Sequence, residues 1–437
     1  MSTQQRLTGG GEHGQSGPGE GGDDKKVPWF MAEPEDREAG QERSNPLGLV
    51  VLVGLFALLW LGAGFRYFVV VVGLLVMIFL HEMGHFVTAR LTGMKATQFF
   101  LFMGPRIFSF HRGETEYGLR LLPLGAFVRI VGMNNLDPCD PDDEPRAYKN
   151  KSYPRRMLVI TAGSMMHFLQ ALVLFVVLSS VIGAPDPDRW TIGEISRLTT
   201  GATPAEQAQL EPGDTITAVD GVDTSNYRDL QDYLRPRPGQ EVTLDVVDAE
   251  GATRQVSTTL ASRPLEGGGV VGFLGVAPAF ERNRENPVVG VESFGSAMWS
   301  SVSTIPRFLA PSTFVDLGRL LLEGPADVSI DSDEAANRPV SMVGVVRLAG
   351  DPGFDWTMPI TMLAYINIFV GVFNLLPLLP LDGGHAAIAT YERIRSRRGV
   401  RHQMDVAKLL PLTYAVVLVL GFLMLTTLLL DIVRPIS

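Results

Sequence analysis

The chain has 437 residues, 46% of them hydrophobic and 19% charged, with 46 glycines and 29 prolines, and its mean hydropathy is positive. This composition excludes a disordered polymer, a collagen-like fibre and a disulfide scaffold; Cys139, the single cysteine, has no partner within the chain. A formal charge of -10 argues against nucleic acid as a partner, because neutralising phosphates calls for a basic face.

Residues 1–44 are rich in Gly, Ser, Gln, Asp and Glu and lack clustered apolar side chains. Such a segment cannot bury enough surface to offset ordering entropy, so a disordered cytoplasmic tail is expected, without the basic-then-apolar start of a cleaved signal peptide. The apolar residues that follow come in long runs, and a bilayer core of about 30 Å calls for about 20 of them in a helix. The run 45–64 is long enough to be an extra N-terminal transmembrane helix, with a re-entrant helix as the alternative. The run 66–91 reaches that length only with His81, Glu82 and His85 inside it. Further transmembrane helices are expected over 157–183, 357–385 and 409–433, which makes five hydrophobic helices in all.

Lys and Arg crowd the connections 92–156 and 386–408, and the positive-inside bias turns both toward the cytoplasm. The stretch between them then lies outside. Within it, 190–280 alternates apolar and polar residues between regular turn signals, as small strands do. An amphipathic segment follows over 281–356, including the acidic stretch from Asp327 to Asp333; a packed soluble helix would have the same pattern.

His81-Glu82-Met83-Gly84-His85 is an H-E-x-x-H sequence inside an apolar run. On a helix the i, i+4 spacing puts both imidazoles on one face, where they can hold a zinc ion, while Glu82 lies alongside to take a proton from a water. Ionisable residues at membrane depth are costly, so each is a functional candidate. A catalytic zinc commonly has three protein ligands. Asp382 is the only carboxylate in the run 357–385, and it comes near the same, cytoplasmic end of its span as His81 does of its own. His385, beyond the glycine pair, is a rival ligand ranked behind Asp382.

His81, Glu82 and His85, together with the N-x-x-P-x-x-P-x-D-G-G stretch from Asn374 to Gly384, resemble the two signature motifs of the site-2 proteases, the intramembrane zinc metalloproteases. The resemblance covers roughly 66–434. It implies a polytopic α-helical membrane protein with a three-helix catalytic core, holding one Zn²⁺ on His81, His85 and Asp382 with Glu82 as general base. Asn374 would hydrogen-bond the substrate backbone or the oxyanion; the other reading makes it a polar residue satisfying helix ends freed by Pro377. The segment Glu116 to Gly125 is similar to the family's membrane-associated β-hairpin, whose edge beside the zinc could pair with an unwound substrate. After this loop the family commonly has Asn where this chain has His167, leaving a helix-packing contact, which is favoured, or a proton shuttle.

The stretch from Pro212 to Gly221 is similar to the strand-turn core of bacterial PDZ domains, with Tyr227 to Leu234 as the peptide-flanking helix. Gly272, Phe273, Leu274 and Gly275 look like its carboxylate-binding strand, placed last as in circularly permuted versions. An inserted extracytoplasmic PDZ domain is therefore expected, acting either by capturing chain ends or as a steric filter on substrate size. The function so implied is a plasma-membrane endopeptidase. Its substrates would be single-span membrane proteins already trimmed by an upstream site-1 protease, such as anti-sigma factors or remnant signal peptides. The alternative is a non-enzyme, a membrane metal transporter or PDZ scaffold, although the runs carry no inverted repeat of the kind many transporters have.

Overall fold

The computed structural model describes residues 46–133, 139–195, 202–265, 269–324, 338–350, 356–396 and 402–436, with Val328 and Glu334. The tail 1–44, Asp327 and Asp333, and Arg397, Arg398 and Arg401 of the basic connection lie outside the described residues. Helix α1 (Pro46–Leu58) runs on as a π-helical turn to Ala63. Gly64, at φ 96°, then reverses the chain into α2 (Phe65–Leu91). Such a backbone angle costs glycine little and other residues much.

Two long strands follow, β1 (Ala96–Arg112) and β2 (Thr115–Ile130), paired antiparallel with several register shifts. The shifts fold the pair over on itself, so that residues 98–101 face both 116–119 and 126–129. Gly125, at φ 132°, supplies the kink in β2 that allows this. Phe79 and Phe86 of α2 pack edge-on or tilted against Phe99 of β1 at 5.8 and 5.1 Å, which fixes the sheet against the helix that carries H-E-x-x-H. Leu52 of α1 packs on Phe102 and Ile107 of β1, whereas Leu47, Val50 and Leu61 are exposed.

Helix α3 (Tyr153–Val176) continues as a π-helical stretch to Ile182. An inserted β-rich domain then comprises β3 (Ala184–Ile195), α4 (Pro204–Gln207), β4 (Thr215–Val219), β5 (Val222–Asp223), α5 (Tyr227–Leu234), β6 (Glu241–Val247), β7 (Thr253–Thr259), β8 (Ala261–Leu265), β9 (Gly269–Phe273) and β10 (Val276–Asn283). Strands β5-β4-β6-β7 form one sheet, while β10 pairs with β3 and β8 with β9. Val242, Leu244 and Val246 alternate inward along β6, the period of a strand with one buried face, and close a core with Trp190, Ile216 and Leu230. Helix α5 has the bounds expected from the sequence. The strand expected through Gly272 to Gly275 is instead interrupted at Leu274 and Gly275, between β9 and β10.

Helices α6 (Pro287–Phe308), α7 (Pro311–Glu323) and α8 (Met342–Gly350) lead to α9 (Met358–Asn374). The single helix expected over 357–385 is two: α9 stops at Asn374 and α10 (Asp382–Arg395) begins eight residues later. The cause is Pro377 and Pro380, which lack the donor and clash with the preceding turn. The connection expected over 386–408 is accordingly helical as far as Arg395. Helix α11 (Leu410–Val433) closes the chain. Near its end Asp431 is buried, accepting from Arg338 Nη2 at 2.8 Å and Ser341 N–H at 2.6 Å, while Arg434 reaches Glu334 at 2.7 Å.

Among the described residues, 46–63, 65–91, 153–182 and 407–433 are long and apolar enough to cross a membrane, and the 17-residue α9 is a shorter apolar helix. The protein is a multi-pass helical membrane protein.

Candidate metal centre

His81 and His85 lie one turn apart on α2, both buried. Their Nε2 atoms are 3.2 Å apart, and Asp382 Oδ2 stands 3.5 Å from the first and 3.3 Å from the second. Three ligands bound to one tetrahedral zinc at 2.0–2.1 Å would be about 3.3 Å from one another. His85 Nδ1 lies 2.8 Å from the Val159 carbonyl of α3, an acceptor only, so Nδ1 carries the proton and Nε2 of the neutral ring presents a lone pair. That lone pair points at a carboxylate oxygen which is itself buried without a hydrogen-bond partner. Acceptors turned on one another fit a shared cation. Among the described residues, these three are the His, Cys, Asp or Glu group whose ligand atoms converge within 4.8 Å.

Local chain geometry explains each position. Asp382 is the first residue of α10, where the helix dipole favours a negative charge. The two glycines behind it are obligatory. A Cβ on Gly383 would collide with the carbonyl oxygens of Leu375 and Leu376, and one on Gly384 would lie 2.6 Å from Leu379 N. The proline-broken turn folds directly onto the helix start. Gly163 of α3 serves the histidines in the same way. A Cβ there would meet His85 Nε2 and come within 2.7 Å of His81 Nδ1.

Glu82 is adjacent to the trio and not part of it. Its Oε1 lies 4.0 Å from His81 Nε2, and its Oε2 accepts Val128 N–H of β2 at 3.2 Å. Gly125 is in the same strand, three residues before that contact. Asn374 is the last residue of α9, half-buried and with no side-chain hydrogen bond among the described residues. His385 stands apart from the trio and lines a cavity of about 20 Å³ with Tyr148, Arg156, Ile388 and Glu392. Gly272, Phe273, Leu274 and Gly275 belong to the β-rich domain, where Gly272 N–H already donates to Arg235 O at 2.9 Å and Leu274 O accepts from Ala205 N–H.

Sequence reasoning missed Val128, Val159, Gly163 and Asn367. The last is buried in α9 and faces His167 at 3.1 Å. An Asn in the middle of an apolar run and a glycine in an apolar helix were available signals. The two valines contribute only backbone groups and left none.

The model of peptidase family M50 matches residues 69–420. The chain is 33% identical over 399 residues to the zinc metalloprotease Rip1 of Mycobacterium bovis (strain BCG / Pasteur 1173P2), covering 83% of this chain and 96% of that protein. It is 32% identical over 415 residues to the zinc metalloprotease Rip1 of Mycolicibacterium smegmatis, with the same coverage. With the zinc metalloprotease RasP of Shouchella clausii it shares 26% over 400 residues, 74% of this chain and 89% of that one. A match that begins in α2, ends in α11 and is joined by near-complete coverage of named zinc metalloproteases means that the chain belongs to peptidase family M50, the site-2 proteases, and is a zinc-dependent membrane peptidase.

Proposed function

We propose that this peptidase cuts within the transmembrane segment of single-span proteins already trimmed by an upstream protease, anti-sigma factors or remnant signal peptides being the substrate class. In this reading His81, His85 and Asp382 hold the zinc and Glu82 is the general base. The observation that carries it is the convergence of three ligand atoms at 3.2–3.5 Å beside a carboxylate that is not one of them. Bound zinc supplies polarisation of the scissile carbonyl and a lowered pKa for water.

The chain's own residues do the rest. Glu82 takes a proton from the attacking water and returns it to the leaving amine. A peptide bond within a helix is shielded, so the substrate must unwind first. Among the described residues, 126–129 have a strand partner on one side only, and an unwound segment can add to the other as a further strand. Val128 N–H, the donor that holds Glu82, is on that edge, so an added strand runs beside the base, starting from the kink at Gly125. Asn374 hydrogen-bonds the substrate backbone or the oxyanion.

The metal centre faces the cytoplasm in this reading, supported by the Lys and Arg residues of 92–156. The β-rich domain is then outside and is read as a circularly permuted PDZ domain. Its backbone donor at Gly272 is in use, and Trp190, packed edge-on against Tyr227 of α5 at 4.9 Å, is buried in the core. Both features favour a filter on substrate size over a pocket for chain ends.

The test compares wild type with Glu82→Gln in liposomes, measuring zinc content and cleavage of tagged single-span proteins. Equal zinc with cleavage by wild type alone is expected. A Gln variant that still cuts would remove Glu82 from the mechanism.

A further inference from the structure

His167 and Asn367 form a buried pair that the proposed mechanism does not use. Asn367 Nδ2 donates to the Leu363 carbonyl at 2.8 Å, which turns its Oδ1 toward His167 Nδ1, 3.1 Å away. An amide oxygen only accepts, so His167 carries its proton on Nδ1 and leaves a lone pair on Nε2. The same ring touches that of His81, with centroids 4.8 Å apart and planes tilted by 38°. His81 directs Nε2 at the trio, so its neutral ring has its proton on Nδ1. That atom is buried and makes no hydrogen bond, with the Gly163 main chain as the backbone group near the ring. An orphaned donor and a spare acceptor therefore sit on two rings in contact. Helix packing holds them there, because a Cβ on Gly371 would lie 3.1 Å from His167 Cβ.

We propose that Asn367 and His167 act as a positioning chain for His81: Asn367 fixes the tautomer of His167, and His167 Nε2 receives the Nδ1 proton of His81. The consequence is a His81 ring held in the tautomer and orientation that metal ligation needs, the service that outer partners perform for ligating histidines. This rests on His81 being a zinc ligand, as proposed above.

The experiment measures zinc affinity of the full-length protein in detergent, by competition with a chromophoric chelator. His167→Phe and Asn367→Leu are each expected to weaken zinc by about 10–100-fold. Asn367→Asp, which keeps an acceptor for His167 Nδ1–H, is expected to restore most of it. Thermal unfolding of the metal-free proteins identifies any variant that fails to fold, and His167→Gln then replaces His167→Phe in the same measurement. X-ray absorption of the wild-type zinc site is expected to count two imidazoles. Unchanged zinc affinity in the His167 and Asn367 variants overturns the proposal and leaves the Gly163 main chain to serve His81. A third imidazole overturns it too, by making His167 a ligand. His81→Ala separates the two readings, since zinc retained in that variant defeats the ligand assignment itself.

Discussion

Single atoms decide whether this site can exist. Gly163 has no side chain because His81 and His85 occupy the space where a Cβ would stand. Gly163→Ala is expected to leave the fold intact and to lower zinc retention at least about tenfold, the scale seen when the support of a metal ligand is disturbed; metal analysis after dialysis against a weak chelator measures it. Gly383→Ala is expected to do the same through Asp382, since the added methyl would drive the start of α10 away from the Leu375 and Leu376 carbonyls. His81, Glu82 and His85 were legible from sequence because they lie on one helical turn, where spacing alone fixes geometry. Asp382 was legible as the only carboxylate of its apolar run, near the same end of its span as His81. Gly163 and Asn367 were not read, because what they do depends on which helix comes to lie against them.

At the scale of elements, the question is what holds the start of α10 in register with α2. Helix α3 does so by packing on both. At its first turn Arg156 Nη1 meets Glu392 Oε2 of α10 at 2.7 Å with both side chains largely buried, and Tyr153 Oη lies 3.2 Å from Thr390 Oγ1. Glu392 also accepts Met404 N–H at 2.8 Å, which ties down the far side of the basic connection. Removing one partner of a buried pair leaves a stranded charge and costs about 3–5 kcal/mol, whereas replacing both with apolar residues is often close to neutral. Glu392→Leu is therefore expected to lower the thermal midpoint and zinc affinity together, and Arg156→Leu with Glu392→Leu to recover much of the first. Melting curves with and without zinc separate the two effects. The break between α9 and α10 was signalled by Pro377 and Pro380 and was hidden by the hydropathy of the leucines around them. The bounds of α5 were expected from the resemblance of the preceding strand-turn stretch to a PDZ core, which puts a helix over Tyr227–Leu234.

For the whole molecule, the proposed orientation rests on charge distribution and can be checked with the chain's own thiol. Cys139 is a free cysteine, partly exposed, in the connection between α2 and α3. A membrane-impermeant maleimide is expected to label it in inside-out vesicles and to spare it in intact cells. In a Cys139→Ser background, Val222→Cys, on an exposed position of β5, is expected to give the opposite pattern. Labelling of Cys139 in intact cells would invert the orientation. Among the described residues, four of the five apolar runs correspond to helices long enough to cross a membrane, and the run 357–385 does not, being broken into two helices. Folding of β1 and β2 back on themselves was not legible, because it depends on register shifts and one glycine angle that leave no periodic trace.

The charges buried at the end of α11 bear on how the protein is made. Arg338 and Asp431 are 93 residues apart in the chain, so during synthesis the guanidinium emerges long before its carboxylate. Until then its carboxylate partner is Glu334, four residues earlier and 3.3 Å away, and the more deeply buried pairing with Asp431 at 2.8 Å is expected to form last, as residues 338–350 dock on the final helix. Completion of α11 is in this sense the closing step of assembly, and a ribosome that stops short of Asp431 releases a chain that cannot finish packing. A chain truncated at residue 430 is expected to be digested by an added protease near Arg338 under conditions in which the full chain is not.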